Sequence, residues 1–446
     1  MHAQAVTSDA VMNGSKTSGL QILTLVLCFM VVACDGFDLA AVGYVAPLLK
    51  KAWTLTPAQL GPIFGAGLFG LTVGSFVFGP LADRIGRKRV IVMSMLLFAL
   101  GTLACAYADS ASSLALLRFL TGVGLGGAMP TAITLSSEFS PERNRALLVT
   151  LMFCGFTLGL ACGGALAALL IPSYGWQGVF IFGGIVPLVL TPIIWIFLPE
   201  SLRFMAGKKK FEAESRKVLE RLTGNPNATL AEAIPDEVRN GDNKKAGILA
   251  TLFSRHYRTG TMLLWLAFFC TLWVYYQISS WLPTVITEGG IAVTQAATIG
   301  AMMPVGGTIG SLINARLMDR HNPFAVLSVS YLIAAISIVC IGPAVHHAGW
   351  LYVTVFCAGF GLSGAQTGAN VLVSGFYSTV ARATGVSWAL AVGRIGSIIG
   401  SMTGGLLLAA LPSTQTAFVV FAVPAVIAGL SMFTAGRLYH GKAKAN

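Results

Sequence analysis

Residues 79–89 read Gly-Pro-Leu-Ala-Asp-Arg-Ile-Gly-Arg-Lys-Arg. On either side lie apolar runs, 58–80 and 90–107. Each is about long enough for a helix to cross ~30 Å of hydrocarbon. Gly79 and Gly86 permit a tight helix–turn–helix connection between them. Asp83 suits a helix N-terminus or an arginine across a helix interface. A pair that must form and break would make such a charged turn a latch.

The same alternation runs outward in both directions. Apolar runs against breakers give spans at 22–48, 58–80, 90–107, 112–136, 146–171, 176–197, 259–286, 294–317, 324–344, 349–375, 383–410 and 415–436. The expected fold is an all-α membrane protein of twelve transmembrane helices in two six-helix halves. The expected divisions are a tail at 1–20, a first half at 21–198, a linker at 199–258, a second half at 259–437 and a tail at 438–446. Short surface helices are expected in the linker, for example over 211–222.

Composition agrees with this reading. The 446 residues are 55% hydrophobic and 10% charged, with mean hydropathy +0.76. A soluble domain carries ~25% charged residues. The polar first twenty residues lack a cleavable signal, so the first span should direct insertion. Eight cysteines fall inside spans with no CxxC pair. They are read as small packing residues, with no disulfide framework or metal site.

The net charge of +12 is distributed by side. With the N-terminus inside, the cytoplasmic loops and helix ends hold Arg84, Arg87, Lys88, Arg89, Arg143, Arg145, Arg316, Arg320, Arg382 and Arg437. Lys442 and Lys444 add to the tail, and the other side holds Lys50 and Lys51. This positive-inside bias places both termini in the cytoplasm. It calls for anionic lipid as partner and for no nucleic acid.

The halves look related. A shift of 236 carries Gly70, Gly74, Ser75, Leu81, Asp83 and Arg84 onto Gly306, Gly310, Ser311, Leu317, Asp319 and Arg320. Two six-helix halves in parallel repeat form a transporter architecture. Gly155, Gly159 and Gly163 recur every four residues, as do Gly396, Gly400 and Gly404. Such stripes let helix backbones approach closely, and would be surfaces that rock.

Charge inside the spans is the functional signal. Asp35, Asp38, Arg118 and Arg394 lie well within them, and Glu138 lies near the end of the fourth. A charge at the bilayer centre costs ~2.5–3.5 kcal/mol on insertion scales. These groups should therefore face a polar cavity or each other. Asp35 and Asp38, three apart, share a helix face. Two carboxylates that close repel when both are ionised, so at least one suits reversible protonation. His2, His256, His321, His346, His347 and His440 all fall in loops or tails. A proton would then ride on Asp35 or Asp38. The alternative is that one or both neutralise Arg118; by rise per residue Asp38 and Arg118 both lie within ~10–15 Å of the external face, where a pair is geometrically plausible.

Arg394 lies near the midplane, on a face with Ser387, Ser397 and Ser401. An unpaired guanidinium there suits a substrate carboxylate. The alternative is a salt bridge to an acid of the first half. Ser363, Gln366 and Asn370 form one polar face, and Tyr275, Tyr276, Gln277 and Trp281 cluster in the seventh span. Aromatic walls with amides suit a hydroxylated ring, or equally serve interhelical hydrogen bonding and interfacial anchoring. Walker motifs are absent, so ATP is not the energy source and no cofactor is expected.

The 79–89 turn resembles the signature loop of the major facilitator superfamily. Glu138 with Arg143 and Arg145 resembles that family's second cytoplasmic cluster. Pro199-Glu200-Ser201-Leu202-Arg203 resembles the end of its sixth span. Asp35-Gly36-Phe37-Asp38 followed by Gly43-Tyr44-Val45-Ala46-Pro47 resembles the first span of the aromatic acid:proton symporters. Arg382 through Trp388 to Gly393-Arg394 resembles their eleventh. Arg118-Phe119-Leu120-Thr121-Gly122 and Met152-Phe153-Cys154-Gly155 fit as well. The resemblance spans about Leu20 to Arg437 and lies nearest the hydroxybenzoate-type carriers.

It implies the major facilitator fold and proton-driven uptake of an aromatic carboxylic acid through the cytoplasmic membrane by a monomer. Asp35, Asp38, Asp83, Glu138 and Arg394 match positions the family uses for transport. Arg118 and Trp388 join Arg394, Gln366, Asn370, Tyr276 and Trp281 as the expected substrate-binding set. Gly79, Asp83, Arg84, Gly86, Arg87, Glu138 and Arg143 form the expected cytoplasmic gate. Asn322 and Pro323 replace Gly86 and Arg87 in the second-half copy, which weakens its latch. The fifth span lacks the Gly-Pro motif of drug antiporters, which disfavours efflux. Other readings are carriage of a phenylpropionate or dicarboxylate, or a transporter-like chemoreceptor whose 199–258 loop meets a partner. A membrane-embedded enzyme is disfavoured, because the spans hold no nucleophile–base pair.

Overall fold

A computed structural model describes residues 5–6, 18–206, 208–223, 229–230, 252–254, 257–345, 347–377 and 379–439. The expectations for His2, His256, His346, His440, Lys442 and Lys444 lie outside these residues, as does the middle of the linker. So does the side chain of Arg382.

The first half opens with α1 (Gly19–Ala52), α2 (Pro57–Ile85), α3 (Arg87–Cys105) and α4 (Ala111–Glu138). A continuous run, Arg145–Phe197, then holds two spans. Gly175, at φ 64° and ψ −165°, breaks it into α5 (145–174) and α6 (176–197). Leu202–Met205 and Glu212–Thr223 are short helices of the linker. The latter turns Val218, Leu219 and Leu222 into the apolar cluster that holds Leu20, Leu27 and Phe204. The second half is α7 (Arg258–Glu288), α8 (Val293–Met318), α9 (Pro323–Ala344), α10 (Ala348–Phe376), α11 (Thr379–Ala410) and α12 (Thr414–Tyr439). Among the described residues, eleven helices have the length and apolarity to cross a membrane, with the kinked Leu147–Phe197 run counted as one. Ala5–Val6 paired with Thr229–Leu230 is the strand content among the described residues.

Local chemistry sets the ends. Ser18 and Gln21 cap α1 reciprocally, at 3.3 and 2.8 Å. Gln59 accepts from the Thr56 backbone N–H at 2.9 Å, and Pro57 opens α2. Asn322 accepts from Phe324 N–H at 3.0 Å ahead of Pro323. One expectation is corrected here. The helix does not stop at Gly79, but runs through Pro80 to Ile85, and the turn into α3 is Gly86 alone at φ 107°. Gly79 sits in mid-helix with open space about it.

The repeat seen in the sequence is a repeat of packing. Gly70 and Gly74 of α2 press on the carbonyls of Phe119 and Val123 of α4. Gly306 and Gly310 of α8 press on those of Phe356 and Phe360 of α10. Gly36, Gly155 and Gly159 join α1 to α5, as Gly396 and Gly400 join α11 to α7. Outward faces stay apolar: Leu169, Ile196, Leu332, Ile336 and Leu430 are exposed, as lipid contact requires. Cys28, Cys34, Cys105 and Cys270 pack inside, whereas Cys162 and Cys340 face outward.

One face of the bundle carries Arg84, Arg87, Arg143, Arg316, Arg320 and Arg437, and the far face carries Lys50, Lys51, Asp109 and Glu288. The halves close on each other at the far face. Lys50 pairs with Glu288. Gly61 and Gly65 meet Met402, and Phe64 meets Trp281 edge to face at 5.2 Å. Toward the basic face the same sides of α2 and α11 are uncovered at Phe76, Trp388 and Ile395.

Candidate functional site

Asp38 and Arg118 form a two-pronged pair between α1 and α4. Arg118 Nη1 and Nη2 donate to Asp38 Oδ1 and Oδ2, each at 2.7 Å. Both residues are buried. Gly67 on α2 makes room: a methyl group there would stand 3.3 Å from Arg118 Nη2. Arg118, expected in the substrate-binding set, is thus committed to Asp38 in this conformation.

Asp35 lies one turn earlier and is 3% exposed. Its Oδ2 has no hydrogen-bond partner among the described residues. A cavity of about 30 Å³ is lined by Asp35, Asp38 and Arg118, with Val42, Ile63, Phe64, Gly67 and Ser280 among its other walls. The two carboxylates share a helix face as expected, but they do different work. Asp38 is paired and Asp35 is not.

Arg394 comes from the other half, half-buried on α11. Its guanidinium makes no hydrogen bond or ion pair among the described residues. Asp35 and the Tyr276 hydroxyl are both within its electrostatic reach. Tyr276 meets Tyr275 edge to face at 5.5 Å. On α10, Gln366 Nε2 donates to Asn370 Oδ1 at 3.4 Å, and Gln366 Oε1 is buried without a partner among the described residues. Gln277 Nε2 is also buried and unpartnered among them. Of these amides, Gln277 adjoins Tyr276 on α7.

Two aromatic expectations are corrected. Trp281 is fully enclosed, donates from Nε1 to Ser401 O at 2.8 Å and packs on Phe64. It seals the far face rather than lining an open wall. Trp388 is 43% exposed and stacks on Trp265 at 5.6 Å. Six residues from Arg394, it points about 120° away from the Arg394 face.

The expected gate is built around Arg87. Its Nη2 lies 3.3 Å from Asp83 Oδ1 and 3.2 Å from Glu138 Oε1. Glu138 also accepts from Ser201 Oγ. Glu200 Oε1 accepts from the backbone N–H groups of Arg87 (2.8 Å), Lys88 (3.2 Å) and Ser201 (2.9 Å). It caps the start of α3, where a carboxylate is favoured. Gly86 is the residue that lets Glu200 in, because a methyl group there would collide with its Oε2. Arg84 and Arg143 are exposed and lie outside this network. Glu200 and Ser201 were absent from the expected gate, although the Pro199-Glu200-Ser201 run marked their position.

The sequence model of the Major Facilitator Superfamily matches residues 28–386 and 264–445. A gallate transporter of Pseudomonas putida is 42% identical, over 93% of this chain and 92% of that protein. A 4-hydroxybenzoate transporter of Acinetobacter baylyi is 40% identical, over 98% of this chain and 95% of that protein. Among solved structures, a bacterial homolog of the human lysosomal transporter Spinster, inward-facing and occupied, superposes with a TM-score of 0.74. It is 18% identical, covering 96% of this chain and 99% of that one. The chain is a multi-pass membrane transporter, not an enzyme. It belongs to the major facilitator superfamily, where it groups with carriers of aromatic acids.

Proposed function

We propose that the chain takes up an aromatic carboxylic acid of the benzoate or hydroxybenzoate class together with protons, by alternating access. The observation that carries this reading is that Asp35 and Arg394 each lie within a span with no ion pair among the described residues. They are opposite charges from opposite halves. Arg394 receives the carboxylate, which a guanidinium grips through two hydrogen bonds. Tyr276 and the Gln366–Asn370 pair meet the ring and its substituents. A bound carboxylate beside an ionised Asp35 would be repelled in this low-dielectric setting. A proton on Asp35 removes that repulsion, so anion and proton load together. Arg394 without substrate and Asp35 without proton attract each other instead, which favours the empty return. Asp38, held by Arg118, is less suited to carry the proton.

The relatives named for gallate and 4-hydroxybenzoate support the substrate class. The basic face is the cytoplasmic one on the charge rule, with both termini inside. The membrane is the cytoplasmic membrane. One chain supplies both halves of its own site and works as a monomer, with the proton gradient as its energy source.

The test is uptake of radiolabelled 4-hydroxybenzoate and benzoate in cells expressing the chain, with and without a protonophore. Accumulation should collapse with the gradient. Undiminished accumulation would remove proton coupling. Competition by hydroxybenzoates, phenylpropionates and dicarboxylates should rank the hydroxybenzoates first.

A further inference from the structure

Two of the residues lining the cavity beside the Asp38–Arg118 pair each carry an unmet polar atom. Asp35 Oδ2 is an acceptor without a donor, and Arg118 Nε is a donor without an acceptor, among the described residues. Both residues are more than nine-tenths buried, and both line the same 30 Å³ space. Arg118 has spent one N–H from each Nη on Asp38, which leaves its Nε edge facing elsewhere. An unmet buried polar atom carries the full cost of leaving water. A water molecule needs only ~10–15 Å³ on this measure, together with two to four polar partners. Of the other walls, Val42, Ile63, Phe64 and Gly67 bring no side-chain donor, and Ser280 brings a hydroxyl that makes no hydrogen bond to Asp35 Oδ2.

We infer that this cavity is a binding site for an ordered water that accepts from Arg118 Nε–H and donates to Asp35 Oδ2. The water extends the pair into a chain, Asp38–Arg118–water–Asp35, within the first half of the molecule. It brings part of the Arg118 charge to Asp35 without releasing Asp38. Its role rests on the proposed proton site at Asp35. As the proton leaves Asp35, the water meets the new carboxylate before Arg394, still releasing its substrate, can do so. Without the water, that carboxylate would have no donor and would keep its proton. Proton release would then slow, while exchange of substrate with the proton retained would continue.

Val42 lines the cavity from one turn beyond Asp38. Val42→Ile adds one methylene to a space about the size of a water or two. A map of the wild-type protein at a resolution that shows ordered water should carry a peak within hydrogen-bond reach of Asp35 Oδ2 and Arg118 Nε. The peak should be missing in V42I. Gradient-driven uptake by V42I should fall about tenfold, with radiolabelled substrate exchange in proteoliposomes within about twofold of wild type. A wild-type map without the peak overturns the site, whatever V42I does. A map in which V42I lacks the water but transports at the full rate overturns its role. Wild-type uptake that ignores a protonophore would instead strike the proton reading of Asp35, and would leave the water itself to be judged by the map.

Discussion

Two carboxylates three residues apart have been given opposite tasks, and Arg118 is what separates them. Asp38 receives both terminal nitrogens of Arg118 at 2.7 Å, and Asp35 receives none. Removing one member of such a buried pair costs ~3–5 kcal/mol, because the other charge is left alone. Arg118→Leu should therefore lower the thermal stability of the purified protein sharply. The double variant R118L/D38N should regain most of the loss. Equal losses in single and double variants would show that the pair is not the cause. Asp35→Asn should leave that stability nearly unchanged and abolish accumulation against a gradient, while substrate exchange persists. Full accumulation by D35N would end its role as proton carrier. Arg394→Lys keeps the charge but loses the planar two-pronged grip, so KM for a carboxylate should rise about tenfold or more. The sequence made these four residues visible, since each is a charge in an apolar run. Depth along the spans made an Asp38–Arg118 pair plausible, but did not exclude Asp35. Positions three apart differ by about 60° around a helix, and the choice depends on how α1 is rotated against α4.

At the scale of the helix, glycine carries more of the structure than charge does. The matched contacts of Gly70 with Phe119 and Gly306 with Phe356 show why the 236-residue repeat survives in small residues. Close approach leaves no room for a side chain, so those positions cannot drift. The span boundaries were legible for a related reason: apolar length and capping residues are local properties. The end of α2 was not. Pro80 reads as a breaker, yet the helix carries it on an exposed face, with Phe78 before it and Ala82 after it buried. The turn then falls to Gly86, whose φ of 107° disfavours any side chain. Gly86→Ala should displace Glu200 from the N-terminus of α3 and lower both yield and transport by about tenfold. Gly79→Ala, with open space around it, should keep thermal stability within ~0.5 kcal/mol of wild type. Loss of folding in G79A and not in G86A would reverse this assignment of the turn. Glu200 was missed for a plain reason. It lies 113 residues from the N–H of Arg87 that it caps, and no local pattern announces a cap supplied from so far away.

On the scale of the whole molecule, the two halves touch most closely where the far face is shut. Lys50 of α1 pairs with Glu288 of α7, and Trp281 plugs against Phe64 just inside. A cavity of about 230 Å³ lies outside that plug, lined by Pro57, Trp281, Thr284 and Glu288. The Asp35–Arg118 space lies inside it, sharing Phe64 as a wall. Substrate entering from the far face must therefore part the halves here. An exposed ion pair of this kind is worth ~0–1 kcal/mol, so it can mark the closed state without locking it. A cleavable thiol cross-linker placed between Lys50→Cys and Glu288→Cys, with the outward-facing Cys162 and Cys340 changed to Ser, should hold that face shut. Uptake should stop on cross-linking and return on cleavage of the linker. Neither protein carrying only one of the two cysteine substitutions should respond. Transport at the full rate by the cross-linked protein would mean that the halves need not separate at the far face, and the entry route would have to lie elsewhere. If uptake stops as expected, labelled substrate loaded from the basic side should still bind with near-native affinity, because Arg394, Tyr276 and Gln366 lie on the basic side of the Trp281–Phe64 plug.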